Sequence, residues 1–315
     1  MEFKMYSTMG SVKKFWEQVE QRSNNVYQSY TYNLLLYKYR KTSISNIKSF
    51  NTKTVFVVAF DKGQAVAIAP LTVNENPRCV RLLGYGSNSG SLDFIYNNEK
   101  YVQPLFYACA NYLKGYKFDF SFVPENSPLI HVMNKSSENE NFYLQVNNYK
   151  NYYESLSKSM RQNVRTSYNR LTTDRKNYFL EVHNSISVKI CKEIDEVYIK
   201  RKKTWNGVET KTVNRFRDIV YSSVNKLREG KMCILRIDNE VAAFFIGYEG
   251  EDVIHIPRLA INEKYARYSP GIVLINEYLK LEITSIFDLG RGQETYKIKL
   301  NGVMYKTYNL ICEVP

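Results

Sequence analysis

The chain has 315 residues, of which 44% are hydrophobic and 24% charged, a balance that is ordinary for a folded globular protein. This length exceeds that of most single domains, so we expect two. No apolar run approaches the roughly 20 residues that cross a bilayer. The amino terminus MEFKMYSTMG also lacks the apolar segment of a signal peptide. The sequence therefore predicts a cytoplasmic protein without a membrane span.

The formal net charge is +13, an excess that is typical of proteins that meet phosphates, nucleic acids or anionic membranes. Abundant lysine, asparagine and tyrosine indicate that part of this excess is compositional. No RNA-recognition or helix-turn-helix signature is present, so we expect a small-molecule partner rather than nucleic acid. The five cysteines and three histidines show no ligand spacing, and no metal site is predicted.

The first half combines helical periodicity with alternating apolar runs. A hairpin is predicted around Asp61-Lys62-Gly63, whose residue types favour a tight turn. The predicted helices are 11–21, 29–39 and 101–113, and the predicted strands are 54–60, 64–73, 79–83, 91–95 and 116–123.

The second half opens with helices and continues with consecutive strands. A hairpin is predicted with its turn at Asn239, and Pro270 and Gly271 mark the first turn of a later helix. The predicted helices are 154–171, 187–203, 212–229 and 269–283, and the predicted strands are 232–238, 241–250, 252–261 and 285–290.

The two halves repeat one plan. VVAFDKGQAVAIAPL in the first half is similar in pattern to CILRIDNEVAAFFIG in the second, and YKFDFSFVPEN to TSIFDLGRGQE. The two offsets are alike, at roughly 170 to 180 residues. Equal order and spacing favour a duplicated α/β unit, with chance hairpins as the alternative.

The segment from Ile256 to Gly271 runs from a strand through a loop into an apolar helix. The first N–H groups of a helix attract anions, and small residues such as Ser269 and Gly271 let a pyrophosphate approach the backbone. Ser269 is the predicted N-cap, and Lys264 and Arg267 add positive charge for a phosphate. A purely structural strand-loop-helix is the alternative.

A resemblance to known proteins comes from the block DVIHIPRLAINEKYARYSPGIVLINEYLK, followed by IFDLGRGQETYK. This block is similar to the carboxy-terminal half of CelD-like acyltransferases in the GNAT superfamily. SLSKSMRQNVRTSYNRL resembles the basic helix that opens that half, and YQSYTYNLLLYKY resembles the family's amino-terminal helix. Relatives in the FemABX group share the tandem design.

The resemblance implies an α/β fold of two tandem GNAT-like domains, each a mixed, mostly antiparallel sheet flanked by helices. Residues 1–147 would form a degenerate domain, and residues 148–315 a domain with an acyl-CoA site. There, parallel strands at about 252–259 and 285–289 would splay apart around the donor's pantetheine. The donor contacts would be Leu259, Ala260, Ile261, Arg267, Ser269 and Gly271. Tyr265 and Ser269 occupy a loop in which two glycines are usual.

Candidate catalytic residues come from the second of these strands and from the segment after it. Asp288 or Glu294 would accept the proton of an incoming ammonium, and Lys297 lies three residues beyond Glu294. The alternative for this set is a salt-bridged turn. His255 lies on the strand that flanks the cleft, where a histidine that only hydrogen bonds is the alternative to a catalytic one.

Candidate acceptor contacts are spread along the chain. Arg291 and Lys297 would bind an anionic group of the acceptor. Tyr296, which lies between them in the sequence, would be a further contact with the acceptor. Arg161 belongs to a basic helix face, and Trp205 follows a basic run, a combination that suits a sugar or base. Asp93 ends the glycine- and serine-rich loop GYGSNSGSLDF. A solvated helix face and a connecting loop are the alternatives.

These observations lead to one expected function and two alternatives. The expectation is an acyltransferase that moves an acetyl or other acyl group from acyl-CoA to an amine. The acceptor would be an amino sugar, its nucleotide form or another cell-envelope or polysaccharide precursor. The first alternative is a FemABX-type transferase that uses aminoacyl-tRNA, and the second is a non-catalytic binding protein on a decayed transferase fold.

Overall fold

The computed structural model describes residues 1–20, 25–44, 52–85, 89–206 and 221–313, with side chains described outside 39–44 and 199–206. The chain divides into two compact units. The first contains Met1–Glu140 together with Lys306–Pro315, and the second contains Asn141–Tyr305.

The strands and helices are numbered in chain order. The strands are β1 Glu2–Tyr6, β2 Thr52–Asp61, β3 Gln64–Glu75, β4 Arg78–Leu82, β5 Ile95–Tyr96, β6 Lys117–Pro124, β7 Asn134–Gln145, β8 Tyr178–His183, β9 Gly230–Ile237, β10 Glu240–Glu249, β11 Val253–Ile261, β12 Ile286–Arg291 and β13 Val303–Glu313. The α-helices are α1 Met9–Glu20, α2 Tyr30–Ile44, α3 Val102–Tyr112, α4 Tyr149–Ser155, α5 Lys158–Thr173, α6 Val188–Asn206, α7 Pro270–Leu279 and α8 Thr295–Lys299. Residues 221–226 are also helical. None of the helices in the described ranges combines the length and apolar character needed to cross a membrane.

The two units repeat one strand plan. The order is β1-β2-β3-β4-β6-β13 in the first unit, with β5 also beside β3, and β8-β9-β10-β11-β12-β7 in the second. Neighbouring strands are antiparallel except for β4 with β6 and β11 with β12, which are parallel. The shared order and directions confirm the tandem α/β fold with mixed, mostly antiparallel sheets.

Each unit takes its last strand from the other half of the chain. β13 follows β12 in sequence but pairs with β6, where Thr307 lies opposite Pro124. Residues 141–145 of β7 follow β6 but pair with β12, where Gln145 lies opposite Ile286. The observed units therefore differ from a single division into 1–147 and 148–315, because strand pairing and not chain order decides membership. That the second unit carries the donor site stays a prediction.

Two hairpins turn through pairs of residues with left-handed backbone. Lys62 and Gly63 join β2 to β3 with φ of 50° and 79°, and Asp238 and Asn239 join β9 to β10 with φ of 51° and 66°. Positive φ at both central residues gives a type I′ turn, whose twist matches that of the strands. Glycine, asparagine and aspartate tolerate this conformation best, so the residue types predicted both turns.

The other elements agree with the sequence pattern where apolar periodicity is strong. The predicted helix 154–171 is interrupted before Ser157, whose hydroxyl caps α5 by accepting the N–H of Met160 at 3.1 Å. Strands β1, β7, β8 and β13 are absent from the prediction because they are polar or partly exposed; β7 reads NKSSENENFYLQ. Of the helix predicted at 212–229, residues 212–220 lie outside the described ranges.

Asp93, a predicted acceptor contact, lies in the interior of the first unit, where its residue is 6% exposed. Its Oδ1 accepts hydrogen bonds from the Phe94 N–H at 2.7 Å and the Ser127 hydroxyl at 2.9 Å. Tyr96 is a further hydrogen-bond partner. Burial raises the pKa of the Asp93 carboxyl to about 7, although the hydrogen bonds act in the opposite direction. The protonated carboxyl is thus the form that fits this core.

This burial predicts that the stability of the first unit depends on pH. An unfolded aspartate ionises near pH 3.9, whereas folded Asp93 keeps its proton up to about pH 7. The folded state binds more protons between these values, so unfolding becomes easier as the pH rises, by up to roughly 4 kcal/mol. Asp93→Asn mimics the protonated form and should remove this slope. Denaturant unfolding between pH 4 and 8 measures the effect, and equal slopes for both proteins would contradict the assignment.

Candidate active site

The sheet of the second unit packs against helices on both faces. Side chains alternate along a strand: Ala243 and Phe245 of β10 enter the core that contains α5 and α7, and Phe244 and Ile246 enter the core that contains α6. We call the two sides the α7 face and the α6 face. Every side chain of the neighbouring strands belongs to one of them.

Strands β11 and β12 lie side by side over a short stretch only. Val253 is opposite Ile286, and the last pair in register is His255 with Asp288. Beyond this pair, β11 continues along β10 as far as Ile261. The two parallel strands therefore separate after His255 and Asp288, as the sequence-based expectation of splayed strands requires.

Beyond His255, one edge of β11 has no strand paired with it in the described ranges. The N–H of Asn262 donates to the carbonyl of Ala242 at 2.8 Å, so this position faces β10. Because backbone groups alternate in an antiparallel ladder, Ala260 also faces β10, and Leu259 and Ile261 face the opposite side. Of the three predicted donor contacts that lie on β11, Leu259 and Ile261 thus direct their N–H and C=O groups toward the separation.

The N-terminus of α7 lies against the same stretch of β11. A Cβ added at Gly271 would be 3.1 Å from Cγ2 of Ile261 and 3.7 Å from Cδ2 of Leu259. The first distance is shorter than ordinary van der Waals contact. A side chain here would require Ile261 to shift by a few tenths of an ångström, so packing favours glycine at this position.

Ser269 occupies the N-cap position of α7, but its hydroxyl makes no capping hydrogen bond. Its backbone is left-handed, with φ 49°, and its carbonyl accepts the N–H groups of Ile272 at 2.9 Å and Val273 at 3.1 Å. Pro270 has no N–H. The predicted side-chain cap is therefore wrong, because the carbonyl of Ser269 already serves the first turn. The N–H of Gly271 makes no hydrogen bond among the described residues.

A polar cluster lies where the two strands separate. His255 donates from Nδ1 to Oδ2 of Asp288 at 2.7 Å, and Asp288 also accepts the Tyr305 hydroxyl at 3.0 Å and the Gly290 N–H at 2.9 Å. Burial, and then the neighbouring Asp288, raise the pKa of Tyr305 well above its usual value, so the phenol keeps its proton. The buried carboxylate of Asp288 therefore holds the imidazole of His255 in one orientation.

A β-bulge in β11 decides which side chains lie on the same face as His255. On β10, Ile246 is opposite Arg258 and Tyr248 is opposite His255, so two steps on β10 match three on β11. Residues three apart on a regular strand point to opposite faces. The extra residue of the bulge brings His255 and Arg258 to one face.

Both side chains lie on the α6 face. The neighbours of His255, Ile254 and Ile256, fill the core of the α7 face, so His255 points the other way. The guanidinium carbon of Arg258 is 5.0 Å from the ring centre of Tyr198 on α6. The sequence did not predict Arg258 or Tyr305, because the bulge and the strand of Tyr305 leave no periodic signal.

Lys297, a predicted catalytic residue, is 1% exposed and secures the loop after β12. Its Nζ donates to the carbonyls of Gly290 at 3.0 Å, Arg291 at 2.6 Å and Gly292 at 3.2 Å. It also pairs with Glu294 at 3.0 Å, whose side chain is half-exposed. Burial lowers the pKa of Lys297, and Glu294 opposes this effect. The contacts give Lys297 an anchoring role, and the catalytic roles of both residues stay predictions.

The remaining predicted residues are dispersed. Arg267 pairs with Asp174 at 3.2 Å just before α7, and Arg161 donates to the carbonyls at the end of α4. Tyr296 packs against the core of the α7 face, and Arg291 ends β12. The side chain of Trp205 lies outside the described residues. Their roles as substrate contacts stay predictions.

A cavity of about 520 Å³ lies beyond the C-terminal end of β11, beside α6. Both cations in its lining are paired: Arg236 with Glu193 at 2.8 Å, and Lys264 with Glu240 at 2.7 Å. The lining carries more carboxylates than cations, so its charge does not favour phosphate. Within the described ranges, no three His, Cys, Asp or Glu side chains are arranged to hold a metal ion.

Comparisons with known proteins agree with this geometry. Residues 158–298 match the family model for an acetyltransferase (GNAT) domain. The chain is similar in structure to FemX, with a TM-score of 0.64 and 9% identity over 98% of this chain and 97% of that one. It is also similar to L-PGS from Bacillus licheniformis, with a TM-score of 0.58 and 13% identity over 96% of this chain and 92% of that one. A tandem GNAT protein from the clavulanic acid biosynthesis pathway is similar with a TM-score of 0.51 and 8% identity over 100% of this chain and 99% of that one. No curated protein matches the sequence at a significant level.

The fold, with its pair of separating parallel strands, is that of the GNAT acyltransferases. Residues 158–298 of the second unit match the acetyltransferase (GNAT) domain family, and the chain as a whole shares its fold with a tandem GNAT protein and with FemX. The resemblance seen in the sequence is confirmed at this level.

The contacts of Lys297 and Glu294 predict unequal effects on stability. Lys297→Met removes the donor that three backbone carbonyls share, and we expect a loss of about 2–4 kcal/mol in the free energy of unfolding. Glu294→Gln changes a half-exposed ion pair and should cost no more than about 1 kcal/mol. Denaturant unfolding of both variants measures the difference. Equal losses would contradict the anchoring role of Lys297.

Proposed function

We propose that this protein transfers an acyl group, most simply acetyl, from acyl-CoA to an amine, at the point where β11 and β12 separate. One observation carries the proposal: the backbone groups of Leu259 and Ile261 face the separation, and the side chains of the same two residues lie against the start of α7 at Gly271. Extended pantetheine carries amides that can pair with such an edge, as an added strand would. The same arrangement is what the resemblance to GNAT acyltransferases implies.

The donor's phosphates would lie at the start of α7. The N–H of Gly271 points out of the first helical turn, where the helix dipole favours negative charge. Arg267 would add a cation from the preceding turn, and Ser269 a hydroxyl that no cap consumes. Ala260 would contribute packing from within the strand. The donor is a co-substrate, and the proposal requires no metal.

Transfer requires the amine nitrogen to attack the thioester carbonyl carbon, forming a C–N bond as the C–S bond breaks. The amine must give up a proton, and we propose that Nε2 of His255 accepts it. Asp288, which is hydrogen-bonded to Nδ1 of His255, orients the ring and stabilises the positive charge that the ring then carries. The departing CoA thiolate then receives this proton. A backbone N–H of β11 would stabilise the carbonyl oxygen as its negative charge develops. Glu294 and Asp288 stay the alternative proton acceptors.

The preferred acceptor is an amino sugar or its nucleotide form, as the resemblance to CelD-like proteins suggests. Arg291 is the last residue of β12 and Tyr296 lies in α8, five residues further along the chain, and both are proposed acceptor contacts. Arg161, Trp205 and Asp93 are weaker candidates, since Arg161 caps a helix and Asp93 is buried in the other unit. Polysaccharide or cell-envelope biosynthesis is the proposed setting.

The first experiment asks whether acyl-CoA binds. A ligand present at 100 times its dissociation constant stabilises a protein by about 2.7 kcal/mol. Acetyl-CoA should therefore raise the melting temperature, and desulfo-CoA, which lacks the acyl group, should raise it less. Free aminoacyl-tRNA serves as the rival probe. Stabilisation by aminoacyl-tRNA and by no acyl-CoA would favour a FemABX-type transferase instead, and response to neither would favour a non-catalytic protein.

The donor site predicts a specific effect at Gly271. Gly271→Leu places a side chain against Ile261 and Leu259, and we expect acetyl-CoA affinity to fall roughly tenfold or more, about 1.4 kcal/mol. Gly10→Leu is the matched control, because an added Cβ there meets nothing within 4 Å. Calorimetric titration measures both. Unchanged affinity in a folded Gly271→Leu variant would remove α7 from the donor site.

The proton acceptor can be identified from turnover. His255→Gln should lower turnover roughly 10²- to 10⁴-fold with acetyl-CoA affinity nearly unchanged, because only proton removal is lost. Asp288→Asn should also slow the reaction and change the basic limb of the pH profile. Glu294→Gln should leave both turnover and pH profile near wild type.

The exposed His131 gives the control, His131→Gln, for loss of a histidine elsewhere. A wild-type rate in His255→Gln together with a large loss in Glu294→Gln would reverse the assignment and make Glu294 the base.

A further inference from the structure

The α6 face of the second unit is apolar along its central strand but charged where β11 crosses it. Phe244, Ile246 and Ala260 belong to its core, which makes a guanidinium at Arg258 an exception. The bulge in β11 is what directs this cation to the α6 face, as register with Ile246 shows. A bulge that places a charge among apolar neighbours has no packing advantage, and bulges are frequent beside active sites.

The position of Arg258 relative to His255 is the second observation. Both side chains leave the same face of β11, and the β10 register places them two residue steps apart, roughly 7 Å. His255 is fixed by Asp288 at 2.7 Å, and Arg258 lies over the Tyr198 ring at 5.0 Å. Stacking of this kind fixes the plane of a guanidinium.

We propose that Arg258 binds an anionic group of the acceptor, so that the enzyme selects amines that carry a phosphate or carboxylate close to the reacting nitrogen. This inference rests on the proposed function and adds the substrate class. The amine would stand at His255, and its anion would reach the planar N–H fork of Arg258. Arg258 acts in binding and takes no part in proton transfer.

The other cations near the separation lie on other elements. Lys297 belongs to α8, and Arg267 belongs to the turn before α7. The cavity beside α6 has more carboxylates than cations. Among these groups, Arg258 is the cation that shares a strand face with His255.

The test compares matched amines that differ in their anion. A comparison of glucosamine 1-phosphate with glucosamine measures the effect of a phosphate, and a comparison of glycine with glycinamide measures the effect of a carboxylate. Each amine is assayed with acetyl-CoA and the full chain. Wild type should prefer the anionic member of one pair by roughly 100-fold in kcat/KM. Arg258→Met should remove that preference by raising KM for the anionic member, with the neutral member changed less than about threefold.

Two further variants make the result specific. Arg258→Lys keeps the charge but not the fork and should recover part of the preference. Arg165→Met, at an exposed position on α5, should leave it unchanged. Equal losses for anionic and neutral amines in Arg258→Met, with a lowered melting temperature, would mean a structural role and overturn the inference.

The inference and the proposed function fail in different ways. If acetyl-CoA stabilises the protein and wild type acylates neutral amines as well as anionic ones, the inference is wrong and the function stands. If acetyl-CoA has no effect, the function is wrong, and stabilisation by glucosamine 1-phosphate or glycine alone then decides the inference. Stabilisation that Arg258→Met abolishes supports an anion site, and no stabilisation in wild type overturns it.

Discussion

Strand β11 pairs with two neighbouring strands, β10 and β12, but over very different lengths. It pairs with β10 along most of its length, and its register with β12 ends at His255 and Asp288. A backbone edge without a strand beside it keeps polar groups that need partners, and at Leu259 and Ile261 these groups face the separation from β12. The polar cluster around Asp288 and the start of α7 both lie beside this divergence.

The bulge in β11 adds a second constraint. It brings Arg258 to the α6 face together with His255, while the large apolar side chains before and after the bulge, Ile254, Ile256, Leu259 and Ile261, all pack against the α7 face. As a consequence, the polar side chains of His255 and Arg258 lie on the opposite side of β11 from the side chains of Leu259 and Ile261.

The sequence predicted the fold better than the site. Apolar alternation and turn residues revealed the hairpins around Gly63 and Asn239, and the repeat of these hairpins predicted the tandem plan. Asp288 was among the predicted residues, but its contact with His255 joins positions that only strand register brings together. Lys297 with Glu294 has the spacing of a surface ion pair, and its burial depends on the left-handed turns at Gly290 and Gly292, which no periodicity reveals.

The exchange of last strands has a consequence for how the protein is made. Residues 306–313, which complete the sheet of the first unit beside β6, are synthesised only after the whole of the second unit. The ribosome therefore releases β6 long before its partner exists, and its edge stays exposed throughout that interval. Long separations of this kind slow folding and invite mispairing of strand edges. Neither half of the gene, expressed alone, encodes a complete sheet.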